Sequence, residues 1–184
     1  MVDSSAHVSE TDSEEIRLDF RPTTVFDISQ TSGDPLPMLL VEELKGTVGG
    51  YQQIRDGLIS VSPVPVQFDK LTDGSKGYYS PLDQRIVINT GMSDVQTIKT
   101  LAHEIGHATV HAPGSSDQKK TTAERETEAE SIAYIVCSHY GISTDEYSFP
   151  YIAGWASRMD DKALMARITG IKGVAADLMD RTDA

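Results

Sequence analysis

The stretch "TIKTLAHEIGHATVHAPG", residues 97–114, decides the reading of this chain. Ile98, Leu101, Ala102, Ile105 and Val110 repeat at helical spacing, so the segment is expected to be an amphipathic helix, with Ser93 as a suitable N-cap and His111 near its end. His103 and His107 lie four residues apart and therefore share a face one turn apart, which lets two imidazoles converge on one atom. Zinc accepts such a pair at about 2.0–2.1 Å per nitrogen. Glu104, rotated by about 100° from His103, can reach a water beside the ion without ligating it. With 5 His in 184 residues, an H-E-x-x-H arises by chance in roughly one such chain in a hundred, before a helix is required around it. A metal site with Glu104 as catalytic base is therefore preferred over a coincidence on a core helix.

His111 prolongs the row, but at 1.5 Å rise per residue it lies about 12 Å from His103 along the axis, too far for all three to meet one ion. It is expected behind the ligands or facing solvent. The pattern with a third histidine six residues after His107 is absent, because Val110 and Pro113 occupy the diagnostic positions. The third ligand must come from elsewhere, and "TTAERETEAESIAYIVCSHYG" (121–141) offers glutamates at 124, 126, 128 and 130 ahead of an apolar run. Glu128 stands one turn before Ile132 and two before Val136, at the mouth of the buried face, where an unpaired carboxylate would cost several kcal/mol. The residues favour Glu128 as the ligand, with Glu126 and Glu130 as alternatives. Either of these two can instead hold the outer nitrogen of a ligand histidine. Glu124 reads as a solvated helix start favoured by the helix dipole.

Composition narrows the function classes. Acidic residues outnumber basic ones, 28 to 16, a net charge of −12 that repels phosphate backbones and anionic lipid, so direct nucleic-acid binding is not expected. Residues 1–21 read as an acidic flexible leader, with six acids against Arg17 through position 19, and 22–184 as one domain. No run approaches the roughly 18 apolar residues of a membrane helix and no secretory signal pattern is present, so a cytoplasmic protein is expected. The single cysteine, Cys137, excludes an internal disulfide or a multi-cysteine zinc site and reads as a buried small hydrophobe.

Along the chain, "TTVFDISQ" (23–30), "PVPVQFDKL" (63–71) and "RIVINT" (85–90) read as strands, with "TDGSKGYYSPLDQ" (72–84) as turn chemistry. Positions 38–59 carry helical spacing broken by Gly46, Gly49 and Gly50, and suit two short helices. Helices are expected from about Ala123 to Tyr140, closed by Gly141, and over "DKALMARITGIKGVAADLMD" (161–180). The expected class is α+β, a short, mostly antiparallel three-stranded sheet packed on the metal-binding helices. "RIVINT", if it forms the sheet edge, could hold an extended substrate by strand addition. His139, Tyr140, Tyr147 and Tyr151 are candidate oxyanion donors, while Phe149 and Trp155 suit the core.

"LAHEIGHATVH" (101–111) followed by the E-x-E-A-E-S-x-A-Y stretch of Glu126–Tyr134 resembles the ImmA/IrrE-type zinc metallopeptidases. With "VFDISQTSGDPLP" (25–37), "GYYSPLDQRIVI" (77–88) and "YSFPYIAGWA" (147–156), the chain is similar to the C-terminal metallopeptidase domain of ArdC-like antirestriction proteins over about 23–160. The resemblance implies a small zincin-like (gluzincin) fold, Zn2+ on His103, His107 and Glu128, Glu104 as general base, and a polypeptide substrate. ArdC-like proteins carry a single-stranded-DNA-binding domain ahead of the "FDISQT" strand, where this chain has its acidic leader, so their DNA role is not expected here. The competing reading is an acidic antirestriction-type decoy that engages a basic DNA-handling enzyme and keeps its zinc for structure alone. A third is the detached catalytic half of a larger DNA-associated protein.

Overall fold

The computed structural model describes residues 44–115, 120–145, 148 and 161–184. The expected leader, the strand at 23–30, and Tyr147, Phe149, Tyr151 and Trp155 lie outside the described residues. Those described form an α+β arrangement of four helices and a three-stranded sheet: α1 (Tyr51–Val61), β1 (Val66–Asp69), β2 (Gly77–Ser80), β3 (Arg85–Asn89), α2 (Asp94–Val110), α3 (Thr122–His139) and α4 (Asp161–Thr182).

The sheet is mixed, not mostly antiparallel. Its order is β1-β3-β2, with β1 parallel and β2 antiparallel to β3. β3 is central, so the condition on which "RIVINT" would hold a substrate, a place at the sheet edge, is not met. Its successive Ile86, Val87 and Ile88 are all buried, the signature of a strand covered on both faces rather than one open to a partner. The edge nearest the helices is instead β2, drawn from the "GYYS" that reads as turn chemistry. Four residues that begin on a glycine and stop at a proline are too few for alternation to declare itself. Gly77 is required there: a Cβ would sit 2.8 Å from the Thr100 methyl and 3.0 Å from the Val87 carbonyl. The missing side chain lets β2 lie directly on α2 one turn before His103.

Both site helices start and stop by side-chain and backbone chemistry that satisfies their orphan groups. Ser93 Oγ accepts the Gln96 amide at 3.1 Å at the head of α2, with Asp94 in the first turn complementing the dipole. Thr121, one residue before the Thr122 that a helix starting at about Ala123 would use, caps α3 in a reciprocal box with Glu124, whose carboxylate accepts the Thr121 amide at 2.8 Å. At the far end Gly141, in the left-handed region (φ 69°), lets the Ile142 amide reach the Cys137 carbonyl (2.8 Å) and its own amide reach that of Ser138 (3.1 Å). Between the caps, Ile98, Leu101, Ala102 and Ile105 of α2 join Ile132, Ala133, Val136 and Cys137 of α3 in a fully buried core. Ile86 and Ile88 seal it from the sheet side, and Ile171, Ala175 and Leu178 add α4 to it. The two site helices are thus fixed against each other by apolar burial, and their polar faces meet at one place.

Candidate metal and catalytic site

That meeting point holds His103, His107 and Glu126. The two Nε2 atoms are 3.1 Å apart, and Glu126 presents one carboxylate oxygen 3.4 Å from His103 Nε2 and the other 3.5 Å from His107 Nε2. Among the described residues this is a group able to hold a metal ion, its ligand atoms all within 4.8 Å of one another. In the metal-free arrangement Glu126 stays ionised: the two histidine hydrogen bonds hold its carboxyl far below the ordinary range, against partial burial. Burial disfavours a charge on His103, but hydrogen bonds to Glu126 and Glu130 outweigh it and push its pKa up to about 9. A metal ion arriving at neutral pH must therefore expel a proton from His103.

Glu104 lies on the α2 flank turned toward the sheet and is only 8% exposed. Burial raises its carboxyl pKa, partly offset by the neighbouring imidazoles and by a hydrogen bond from the Tyr79 backbone amide of β2. It lines the same hollow as the triad, together with Gly77, Tyr78 and Tyr79 of β2 and His111, Thr122 and Arg125. The hollow joins a buried carboxylate, a group able to hold a metal ion and the edge strand β2.

Behind His103 stands Glu130, buried with Lys99. Its Oε2 is 2.7 Å from Lys99 Nζ and 3.2 Å from His103 Nδ1, and its Oε1 accepts the Ser148 hydroxyl at 2.6 Å. This places a carboxylate on the outer imidazole nitrogen, with Nε2 turned toward His107 and Glu126. Burial would raise the Glu130 pKa, but His103, Lys99 and Ser148 hold it at about 2. Because the folded pKa lies below the ordinary 4.5, its stabilisation is complete above that pH and disappears as the pH falls toward about 2. Glu130→Gln, which removes the buried carboxylate charge 2.7 Å from the Lys99 ammonium, is expected to cost ~3 kcal/mol at neutral pH. Urea unfolding of the chelator-treated protein at pH 7 and pH 3 checks this, and the gap between wild type and variant should narrow at the lower pH.

Glu128, the residue favoured as third ligand, is not brought to the histidine pair. It is 3% exposed as expected, but its Oε1 accepts from Arg167 of α4 at 2.7 Å, and its Oε2 sits 2.8 Å from Lys120 Nζ and 3.1 Å from His111 Nε2. Two residues along a helix turn the side chain by about 200°, so Glu126 and Glu128 face opposite sides of α3, one the hollow and the other α4. Two cations, Lys120 and Arg167, relieve its burial. Glu124 sits in the first turn of α3, where it reciprocates the Thr121 cap and shares Arg167 at 2.7 Å.

Two of the candidate oxyanion donors lie elsewhere. His139 Nε2 and the Tyr140 hydroxyl both contact Asp183 at 2.8 Å, where α3 ends against the end of α4. Cys137 is buried and its thiol pKa is pushed up to about 12 by that burial, in keeping with a packing role. No helix among the described residues is long and apolar enough to cross a membrane.

Residues 63–145 match the family model of the IrrE N-terminal-like domain, Peptidase M78, which supports the ImmA/IrrE family and a peptidase. The matched span runs from the strand β1 through the whole of α3 and so contains every residue of the triad and Glu104. An uncharacterized protein of Bacillus anthracis is 39% identical over 77 residues, 42% of this chain and 13% of that protein. The chain thus spans a small part of the length of that relative. No solved structure matches.

Proposed function

We propose that the chain is a zinc-dependent metallopeptidase of zincin-like build, hydrolysing peptide bonds of a protein substrate, with His103, His107 and Glu126 as metal ligands and Glu104 as general base. The observation that carries this reading is the closeness of the donors: the two Nε2 atoms are 3.1 Å apart, and Glu126 sets one oxygen 3.4 Å from the first and the other 3.5 Å from the second. A tetrahedral ion with ligand bonds of about 2.0–2.2 Å requires its donors roughly 3.3 Å apart. Two imidazoles and a carboxylate also form the donor set of catalytic zinc centres, which keep one position open.

Zinc, when bound, supplies Lewis acidity and makes water nucleophilic near neutral pH. Glu104 then takes the proton of the attacking water. Burial has raised its basicity, and the Tyr79 amide keeps the carboxylate oriented. The same carboxyl returns the proton to the leaving amine. Substrate backbone is held at β2 rather than β3. With Lys76 turned to β3, its carbonyl accepting the Asn89 amide at 2.9 Å, alternation turns the backbone of Gly77 and Tyr79 outward, so an extended peptide can pair at Gly77 beside the Tyr79 amide that holds Glu104. The finer likeness to the ArdC-like metallopeptidase domain, and a cytoplasmic setting, belong to this proposal.

The test is metal analysis joined to a proteome-wide cleavage assay. Purified protein is expected to hold one zinc per chain, and to lose its cleavage products on chelation and regain them on zinc addition. Protein that binds no divalent ion at this site would end the reading.

A further inference from the structure

The imidazole nitrogens on α2 leave little freedom in where their protons sit. His107 turns Nε2 toward His103 Nε2 and Glu126, so as a ligand it must carry its proton on Nδ1. That Nδ1 lies 3.3 Å from Nδ1 of His111. One proton between two ring nitrogens makes His111 Nδ1 the acceptor, and His111 must then carry its own proton on Nε2. His111 Nε2 is 3.1 Å from Glu128 Oε2, and the two side chains are each only 4% exposed. Glu128 is kept an acceptor by Lys120 and Arg167, at 2.8 and 2.7 Å.

We infer that His111 is a positioning residue for the ligand His107, and that Glu128 acts through it by fixing the proton of each ring in turn. Both metal ligands on α2 then have a buried carboxylate behind them. His103 meets Glu130 directly, whereas His107 sits one turn further along and reaches Glu128 only across the ring of His111. This accounts for the third histidine of the row, which cannot reach the ion, and for a buried glutamate that faces away from it. Arg167, bonded to Glu124 as well as Glu128, ties α4 to the same arrangement.

The inference rests on the metallopeptidase reading, and the experiment separates the two. Zinc affinity is measured by chelator competition for wild type, His111→Phe and His111→Asn, alongside the unfolding midpoint of each metal-free protein. His111→Phe fills the same space without an acceptor and should weaken zinc binding by ~10–100-fold with little change in the metal-free midpoint. His111→Asn places an amide oxygen near the former Nδ1 and should recover most of that loss. Nitrogen-15 NMR of zinc-loaded wild type should show protons on His107 Nδ1 and His111 Nε2. Undiminished affinity in His111→Phe, an equal loss in both variants, or a His111 proton on Nδ1 overturns the positioning role while wild-type zinc binding leaves the metallopeptidase reading standing. Wild-type protein that takes up no zinc sinks both.

Discussion

Glu104→Gln is expected to lower kcat by ~10²–10⁴-fold while zinc content and fold are retained. The carboxylate is not one of the three atoms clustered for the ion, so the ligand set is intact in the variant. The amide oxygen of glutamine can still accept the Tyr79 backbone amide that steadies the native side chain. What disappears is the ability to accept a proton. The stability change should have the opposite sign to that of most active-site deletions that cut packing. A buried carboxylate is disfavoured by its own desolvation, which is why its pKa is raised, and a neutral amide of the same shape avoids that cost. The variant should therefore melt at the wild-type temperature or slightly above it. Single-turnover cleavage, zinc analysis and thermal unfolding on one preparation decide the matter. Cleavage at the wild-type rate would remove Glu104 from the chemistry, and a biological effect that survives without cleavage would favour the acidic decoy.

The parts of the molecule legible in the sequence are those governed by local rules. The helix around His103 and His107 announces itself by apolar spacing and the Ser93 cap, and Gly141 marks the end of α3 because only a left-handed residue completes that closure. β2 and the place of β3 were not legible for the same physical reason. A strand's position in a sheet is set by what covers it, and neither the close approach of α2 over Gly77 nor the parallel partner β1 leaves a local trace. The carboxylates of α3 show where burial reasoning succeeds and where it stops. Glu128 is inside, as its distance from Ile132 and Val136 implies. Burial alone does not say what relieves the charge, and Arg167, 39 residues on, is invisible to any helical count. One sequence signal does point to Glu126. Glu126 and Glu130 repeat at the same four-residue interval as His103 and His107, so two facing helices can set pair against pair. The structure does so: His103 touches both glutamates and His107 touches Glu126.

Glu126→Ala and Glu128→Ala should therefore fail in different ways. Structural zinc sites in small domains are worth roughly 10–16 kcal/mol. Spread over three protein ligands, that assigns ~3–5 kcal/mol to the Glu126 carboxylate, or ~10²–10⁴-fold in zinc affinity. Activity at limiting zinc should fall at least as far. The metal-free protein should be little affected, because the Glu126 side chain is 49% exposed at the rim of the hollow and its removal opens no cavity. Loss of this carboxylate also removes one of the two hydrogen bonds that lift the His103 pKa to about 9. Proton release on zinc binding at neutral pH should accordingly be smaller in the variant, a change calorimetry reads from the dependence of the heat on buffer ionisation. Glu128→Ala reverses the pattern. It removes the carboxylate that Arg167 shares with Glu124 and that Lys120 contacts, side chains only 24% and 20% exposed, and should cost ~2 kcal/mol of metal-free stability. Its effect on zinc is indirect, through His111, and should stay within ~100-fold. A Glu126→Ala protein that holds zinc as tightly as wild type, beside a Glu128→Ala protein that has lost it, would return the ligand role to Glu128.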